Sequence, residues 1–398
     1  EWAESLITRG LGVEDARALI HAEAMEAARV APKIRTATVG ASNDDPSEIR
    51  RRAEGALVAR MEGSAVPEES REFAGMSLAG VAAHMLIARG ERVRHGEAPE
   101  TILTRAAQHT VSDFPQLLTG AGNRVLANAY QSERSPLVAL CRRGSLNDFR
   151  PKSFLRLGEL GELGKVSESG EIKSVSRGEA AESYSLESYA AMFSLSRKAL
   201  VNDDLSAFSD FARAAAQAAA ATEANLLVGL LTASSGAGPV MSDTEHMFAS
   251  AHGNTGTTGA GALVDLGAAR LAMRRQTGLD GKSPVRVVPK FWIVAPEFER
   301  VAEQIVAEIT PARTEDAVGF ARELTLLVEP RLSGESWYLF ADPASLPCFE
   351  IGYLSSAPGP QMSSRDGWEV LGREFRVHLD VGVGALDWRG AYFMKKAS

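Results

Sequence analysis

The residues closest to a chemical signature fall in three places. Gly278-Leu279-Asp280-Gly281-Lys282-Ser283 ends like a phosphate-binding loop. In such a loop the backbone N–H groups cradle phosphate and the lysine reaches it; this needs four residues between the two glycines, a strand before and a helix after. Here Gln276 stands in the first glycine's place, a helical pattern precedes it, and Pro284 with a strand follows, so the segment reads as a polar turn. His246 and His252 lie beside Asp243 and Glu245 in SDTEHMFASAHGN. Imidazole and carboxylate are zinc ligands, but a spacing of six does not bring two rings to one helical face, and packing histidines in a loop are expected. Gly253, Gly256, Gly259 and Gly261 match no nucleotide fingerprint and read as a flexible loop.

A G-x-S-x-G nucleophile elbow is absent. The two cysteines, Cys141 and Cys348, form no C-x-x-C pair and are expected as buried, reduced thiols. No residue is assigned to catalysis, cofactor binding or a metal, and the expectation is a non-enzyme without cofactor. Composition leaves this open: 398 residues, 45% apolar, 24% charged and a net charge of −8 suit a globular protein and exclude a generally basic nucleic-acid binder. A local basic face remains in Arg50, Arg51 and Arg52, which are candidates for DNA phosphate, against a solvated helix face as the plainer reading. No secretory leader is visible, and the chain starts at Glu1, as in a processed or trimmed protein.

Around these residues, the elements form two textures. Residues 1–112 read as short helices: Val13–Val30, one opening at Asp44-Asp45-Pro46-Ser47, and one running from Pro67 through Leu86. With only Trp2 and Phe73 as aromatics, the region promises a weak core of its own. Further helix is expected near Arg124–Tyr130 and over Pro136–Arg143. Residues 151–190 are polar and glycine-punctuated, with SESGE at 167–171 as a hairpin tip. Each arm would reach about 45 Å, well beyond an ordinary strand. With so few large apolar residues, such a ribbon is expected to lie on another subunit.

An alanine-rich helix is expected from about Asp203 to Leu231, with Asn202, Asp203 and Asp204 as cap candidates. Arg213, Gln217, Glu223 and Asn225 argue against a membrane span. Beyond a loop at 232–262, helices are expected over Leu263–Gln276 and Pro296–Glu308. Strands are expected at Phe291–Ala295, Leu324–Val328, Trp337–Ala341, Phe349–Leu354, Glu374–Asp380 and Leu386–Met394, with a loop over 355–367. Without regular βαβ alternation, the fold class is α+β.

Five segments carry a resemblance over residues 113–398: DFPQLL at 113–118, CRRGSLNDFRP at 141–151, LGELGEL at 157–163, FSLSRKALVNDDL at 193–205 and AHGN at 251–254. In order and kind they resemble the major capsid proteins of Mu-like tailed phages, many encoded as prohead protease–capsid fusions. The resemblance implies the Hong Kong 97-type capsid fold. By it, 113–150 is an N-terminal arm, 151–190 an extended loop, 191–235 and 360–382 a peripheral domain with a long spine helix, and 236–359 with 383–398 an axial domain. Residues 1–112 form an extra helical segment, scaffold-like or an added arm.

The resemblance also implies hexamers and pentamers of this chain in an icosahedral virion shell, assembled in the host cytoplasm around double-stranded DNA. Portal and possible decoration proteins are implied partners, and a membrane is not. Some relatives join a loop lysine to a late asparagine of a neighbour. Lys165 and Lys173 could serve, but no asparagine follows Asn254, so non-covalent assembly is expected. A nanocompartment of the same fold around cargo enzyme is the alternative.

Overall fold

The computed structural model describes residues 45–108, 113–157, 179–203, 205–259, 261–278, 281–307, 323–367 and 372–397. Its contacts divide the chain into Glu1–Ile49 and Arg50–Ser398. The expected helix at Val13–Val30, the hairpin tip at 167–171, Lys165, Lys173 and Asp204 lie outside the described residues. Helix α1 (Pro46–Glu62) starts where its signal lies, with Asp45 accepting the Ser47 N–H at 2.9 Å. The helix expected from Pro67 is instead two pieces. A 3-10 turn takes Glu68–Phe73, Gly75 reverses the backbone at φ 75°, and α2 (Leu78–Ala88) begins afresh under the Ser77 side chain. A residue without Cβ adopts that φ freely, so Gly75 separates the two. Helix α3 (Pro99–Gln108) follows, packed against α2.

Helix α4 (Asp113–Glu133) is much longer than the stretch expected near Arg124–Tyr130. Its glycines mark close packing, not breaks: a Cβ on Gly122 would sit 2.7 Å from the Phe208 ring and 2.6 Å from the Met362 sulfur. The helical turn expected over Pro136–Arg143 is a 3-10 turn at Pro136–Leu140, and its last three residues, Cys141–Arg143, instead open strand β1 (Cys141–Leu146). It pairs in parallel with β9 (Phe349–Leu354), a partner some 200 residues later that local pattern cannot reveal.

Strands β2 (Lys152–Leu157) and β3 (Glu179–Tyr184) form the expected antiparallel ribbon. Strand β4 (Glu187–Ser196) and the short helix α5 (Arg197–Val201) lead to α6 (Ser206–Thr232). At 27 residues α6 spans about 40 Å. The Ser206–Gly236 stretch is long and apolar enough to cross a membrane, but Phe208, Ala212, Ala216, Ala220, Leu227 and Leu231 are buried within the fold. Of the described cap candidates, Asn202 ends α5 and Asp203 turns left-handed to serve another helix, while α6 starts after Leu205 with no side-chain cap from that residue.

The long strand β11 (Gly372–Ala385) organises the first sheet. Strand β4 runs along one side of it, while β10 (Gln361–Asp366) and then β9 take the other. β10 falls in the expected 355–367 loop; its polar QMSSRD has no alternation, and its strand state comes from pairing with β11. Phe208 of α6 packs on Phe375 of β11 at 4.6 Å between ring centres.

The second sheet has the order β5 (Thr255–Thr257), β12 (Ala391–Lys395), β8 (Trp337–Ala341), β6 (Pro289–Val294), β7 (Thr325–Val328). On one face Trp292 and Trp337 meet edge-on at 5.7 Å, within a core shared with Leu266 and Met273 of α7 (Ala262–Arg274) and Phe298 of α8 (Pro296–Ala307). On the other, Phe248, Tyr338, Phe340 and Phe393 cluster, and the Tyr338 hydroxyl donates to Leu231 O at 3.3 Å at the end of α6. With both faces covered, β8 is apolar throughout. The strand expected over Leu386–Met394 occupies only its second half. The first half is a turn in which nearly buried Asp387 and Arg389 pair at 2.7 Å. The architecture is α+β.

Candidate assembly surface

The foot of the ribbon is fastened to the body by one buried carboxylate. Lys152 and Tyr184 face each other across the first rung. Both reach Glu350 of β9, which is 1% exposed: the lysine Nζ donates to Oε1 at 2.9 Å and the tyrosine hydroxyl at 2.7 Å. Arg142 of β1 donates through Nε to Oε2 at 2.7 Å. The Phe154 ring stacks on Tyr184, and the Lys152 and Arg142 cations lie 4.5 and 4.9 Å from its centre. Gly144, paired with Gly352 beside Glu350, makes room, because a Cβ there would sit 2.1 Å from Oε1. Burial, then the bond to Glu350, pushes the Tyr184 phenol far up. A second tie joins Glu182 of β3 to Ser242, through its N–H at 3.0 Å and its hydroxyl at 2.7 Å.

The two flanks of β11 are treated differently. A sheet edge exposes unpaired N–H and C=O groups and invites another strand. The edge of β10 is covered: the Asn123 amide of α4 donates to Met362 O at 3.0 Å and accepts from Met362 N at 2.7 Å, as a strand would. The outer edge of β4 has no paired strand among the described residues, and most of its ten residues are exposed, Met192 by 63%. Beside it runs a groove of about 250 Å³, floored by Ala215, Ala218, Ala219 and Thr222 of α6 and walled by Tyr189–Ala191 and Val377–Leu379. Small side chains on α6 leave this space. His378 lines it, its Nδ1 buried without a hydrogen-bond partner.

The residues singled out in the sequence have structural partners. His252 stacks on Trp388 at 4.0 Å and bonds Asp243 through Nε2 at 2.9 Å, whereas His246 bonds Gly238 O at 3.0 Å. The two histidines thus serve different contacts, and no group of metal-binding side chains occurs among the described residues. Asn254 is fully buried. It accepts from Ala249 N at 3.1 Å and donates to Met247 O at 2.8 Å and Trp388 O at 3.2 Å, so the AHGN segment ties a loop to the turn before β12. Gly278 N donates to Ser283 O at 2.7 Å, which brings the two ends of the expected turn together; Leu279 and Asp280 lie outside the described residues. Cys141 and Cys348 are buried free thiols, pushed up by burial.

The basic run does not stand free for phosphate. Arg51 holds Glu69 through two bonds at 2.8 and 3.0 Å, Arg52 holds Glu72 at 2.8 Å, and Arg50 donates to Gln116 at 2.6 Å. The acidic turn at Glu68–Phe73 neutralises Arg51 and Arg52. Sequence reading passed over two buried carboxylates. Glu223 of α6 accepts the Tyr130 hydroxyl, and the Tyr353 hydroxyl at 2.8 Å, with Arg134 at 3.7 Å. Burial, then this carboxylate, pushes the Tyr130 phenol up to about 12. The visible signal for Glu350 is a lone carboxylate inside the apolar run Phe349–Leu354.

Solved structures resemble the chain at low identity. The capsid of Cyanophage P-SCSP1u aligns at 11% identity over 66% of this chain and 88% of its own, with a TM-score of 0.44. A phage-related protein from Bordetella bronchiseptica aligns at 11% over 68% and 96%, TM-score 0.46. A virus-like particle from Pyrococcus furiosus aligns at 12% over 69% and 97%, TM-score 0.41. No curated protein sequence matches. The family description "Phage capsid protein" matches residues 179–393, more than half of the chain, which hold the open β4 edge, the groove, α6 and every strand from β3 to β11. The chain belongs to the phage capsid protein family.

Proposed function

We propose that this coat protein builds an icosahedral shell of hexamers and pentamers around double-stranded DNA, with the ribbon of each subunit lying over a neighbour. The observation that carries the reading is the open β4 edge and its alanine-floored groove, next to a ribbon whose foot is clamped to the body. A two-stranded ribbon is marginal in water by itself. An open edge beside a groove offers it both hydrogen bonds and apolar cover on a second copy. Many such weak contacts multiply in a closed shell.

The Hong Kong 97-type plan is carried over as part of this proposal: 113–150 the N-terminal arm, 151–190 the extended loop, 191–235 and 360–382 the peripheral domain with α6 as spine, and 236–359 with 383–398 the axial domain. Assembly through packing and hydrogen bonds accords with the absence of a late asparagine. DNA is held without base readout, by its phosphates. Portal and decoration proteins would join at the shell's vertices and outer face, and the Mu-like lineage is the favoured one.

Electron microscopy of the purified full chain tests this. Closed shells with DNA in native particles are expected. A lasting small monomer under all assembly conditions would refute the shell, and cargo enzyme inside particles would assign a nanocompartment.

A further inference from the structure

Helix α2 begins on a carboxylate from far along the chain. Asp203 lies between α5, which ends the strand leading from the ribbon, and α6. Its backbone is left-handed, φ 60°, a conformation disfavoured for a residue with a Cβ. What holds it there comes from the N-terminal helices. Its Oδ1 accepts the Leu78 N–H, the first of α2, at 2.9 Å. Arg60 of α1 donates through one nitrogen to Asp203 Oδ2 at 2.5 Å and to its carbonyl at 3.1 Å, and through the other to Met76 O at 2.9 Å. One guanidinium thus joins the end of α1, the entry to α2 and the β4–α6 junction. The pair is half-sheltered, with side chains 31% and 27% exposed. A second tie lies beside it: Ser209 Oγ and Arg213 Nη2 of α6 each donate to Met61 O at 3.0 Å.

We infer that α1 and α2 are a resident brace: by seating α2 on Asp203 they fix the turn between β4 and α6, and with it the seating of α6 against β4, whose open edge and groove face a neighbour. The inference rests on the coat-protein reading in one respect, that this edge takes a neighbouring subunit in the shell. A removable scaffold would not need to supply the contacts that hold a disfavoured backbone in the finished subunit. Without the brace, Asp203 loses both partners of its carboxylate and the junction relaxes.

The test uses the full chain and the variants R60Q, D203G and D203N, followed by amide exchange and shell yield. R60Q leaves the Asp203 cap on Leu78 in place and removes the charge tie with the bonds to Asp203 O and Met76 O. It is expected to speed exchange about three- to fivefold both at the first turn of α2 and at 198–205, the size of a lost half-exposed ion partner, and to reduce closed shells severalfold. D203G removes the cap as well and should speed exchange roughly tenfold; D203N, which tolerates the left-handed turn and keeps an acceptor for Leu78, should fall between the unmodified chain and D203G. Loosening confined to α2, with the junction and shell yield unchanged, would overturn the inference. Exchange in β8 reports whether a variant folds; if R60Q does not, D203N carries the comparison. If the unmodified chain forms no shells, the coat-protein reading fails, while coupled exchange of α2 and the junction still decides the brace.

Discussion

Glu350→Gln tests the clamp at the ribbon's foot. Glu350 accepts three bonds, from Arg142, Lys152 and Tyr184, at 2.7, 2.9 and 2.7 Å, and is 1% exposed. Glutamine keeps the shape and one acceptor for Tyr184 but removes the charge facing two cations. Breaking a fully buried ion pair costs about 3–5 kcal/mol. Arg142 and Lys152 have side chains 43% and 34% exposed, so both can turn partly to water and the full figure does not apply. The loss then approaches that of hydrogen bonds to a charged group, about 2–3 kcal/mol. Urea unfolding of unassembled subunits measures it, and amide exchange locates it: β2 and β3 should loosen before the second sheet. The pair Glu350→Gln and Lys152→Met should couple by about 1 kcal/mol. A change below about 0.5 kcal/mol, or equal loosening in both sheets, would refute the claim that this carboxylate fastens the ribbon.

Three further outcomes follow from the same structure. Deleting 160–178, between β2 and β3, should leave a folded subunit by circular dichroism but block closed shells, and normal particles would contradict the ribbon's role. Asn254→Ala removes three bonds from a fully buried site and should lower stability by about 2–4 kcal/mol, read from denaturant midpoints. At high pH the buried phenols work against the fold. Tyr130 is pushed from 10.0 to about 12, and Tyr184, Tyr338 and Tyr353 are also raised, burial first in each. Such a phenol has no effect below its unfolded value; above it the unfolded chain ionises first. Stability should therefore fall as pH climbs from about 10 toward 12, by about 2–3 kcal/mol for Tyr130 alone. Tyrosinate absorbance should lag behind free tyrosine and then jump at unfolding; smooth titration of every phenol near 10 would refute it.

Much of the fold was legible because the signal was local. The periodic face of α6, the apolar runs at Trp337–Ala341 and Phe349–Leu354, and the turn at Gly278–Ser283 depend on neighbours within a few residues, and they lie where expected. The errors were non-local. Cys141–Leu146 and Gln361–Asp366 are strands because β9 and β11 hydrogen-bond them, not because their side chains alternate. Helix was expected only near Arg124–Tyr130, but α4 starts at Asp113 and runs through Gly122, the contact point with Phe208 and Met362.

By itself the sequence determined helices between 45 and 108, the ribbon beside a long alanine-rich helix, the α+β class and the family, since propensity, periodicity and an ordered set of motifs are properties of the linear chain. Only the tertiary structure decided which carboxylates matter. It buried Glu350 under the ribbon's foot and Glu223 among phenols, turned Asp203 from the expected cap of its own helix into the seat of α2, and placed Glu69 and Glu72 on the arginines that had pointed toward DNA. A charge acts over a few ångströms of space, and those ångströms here join residues separated by 18 to 208 positions in the chain.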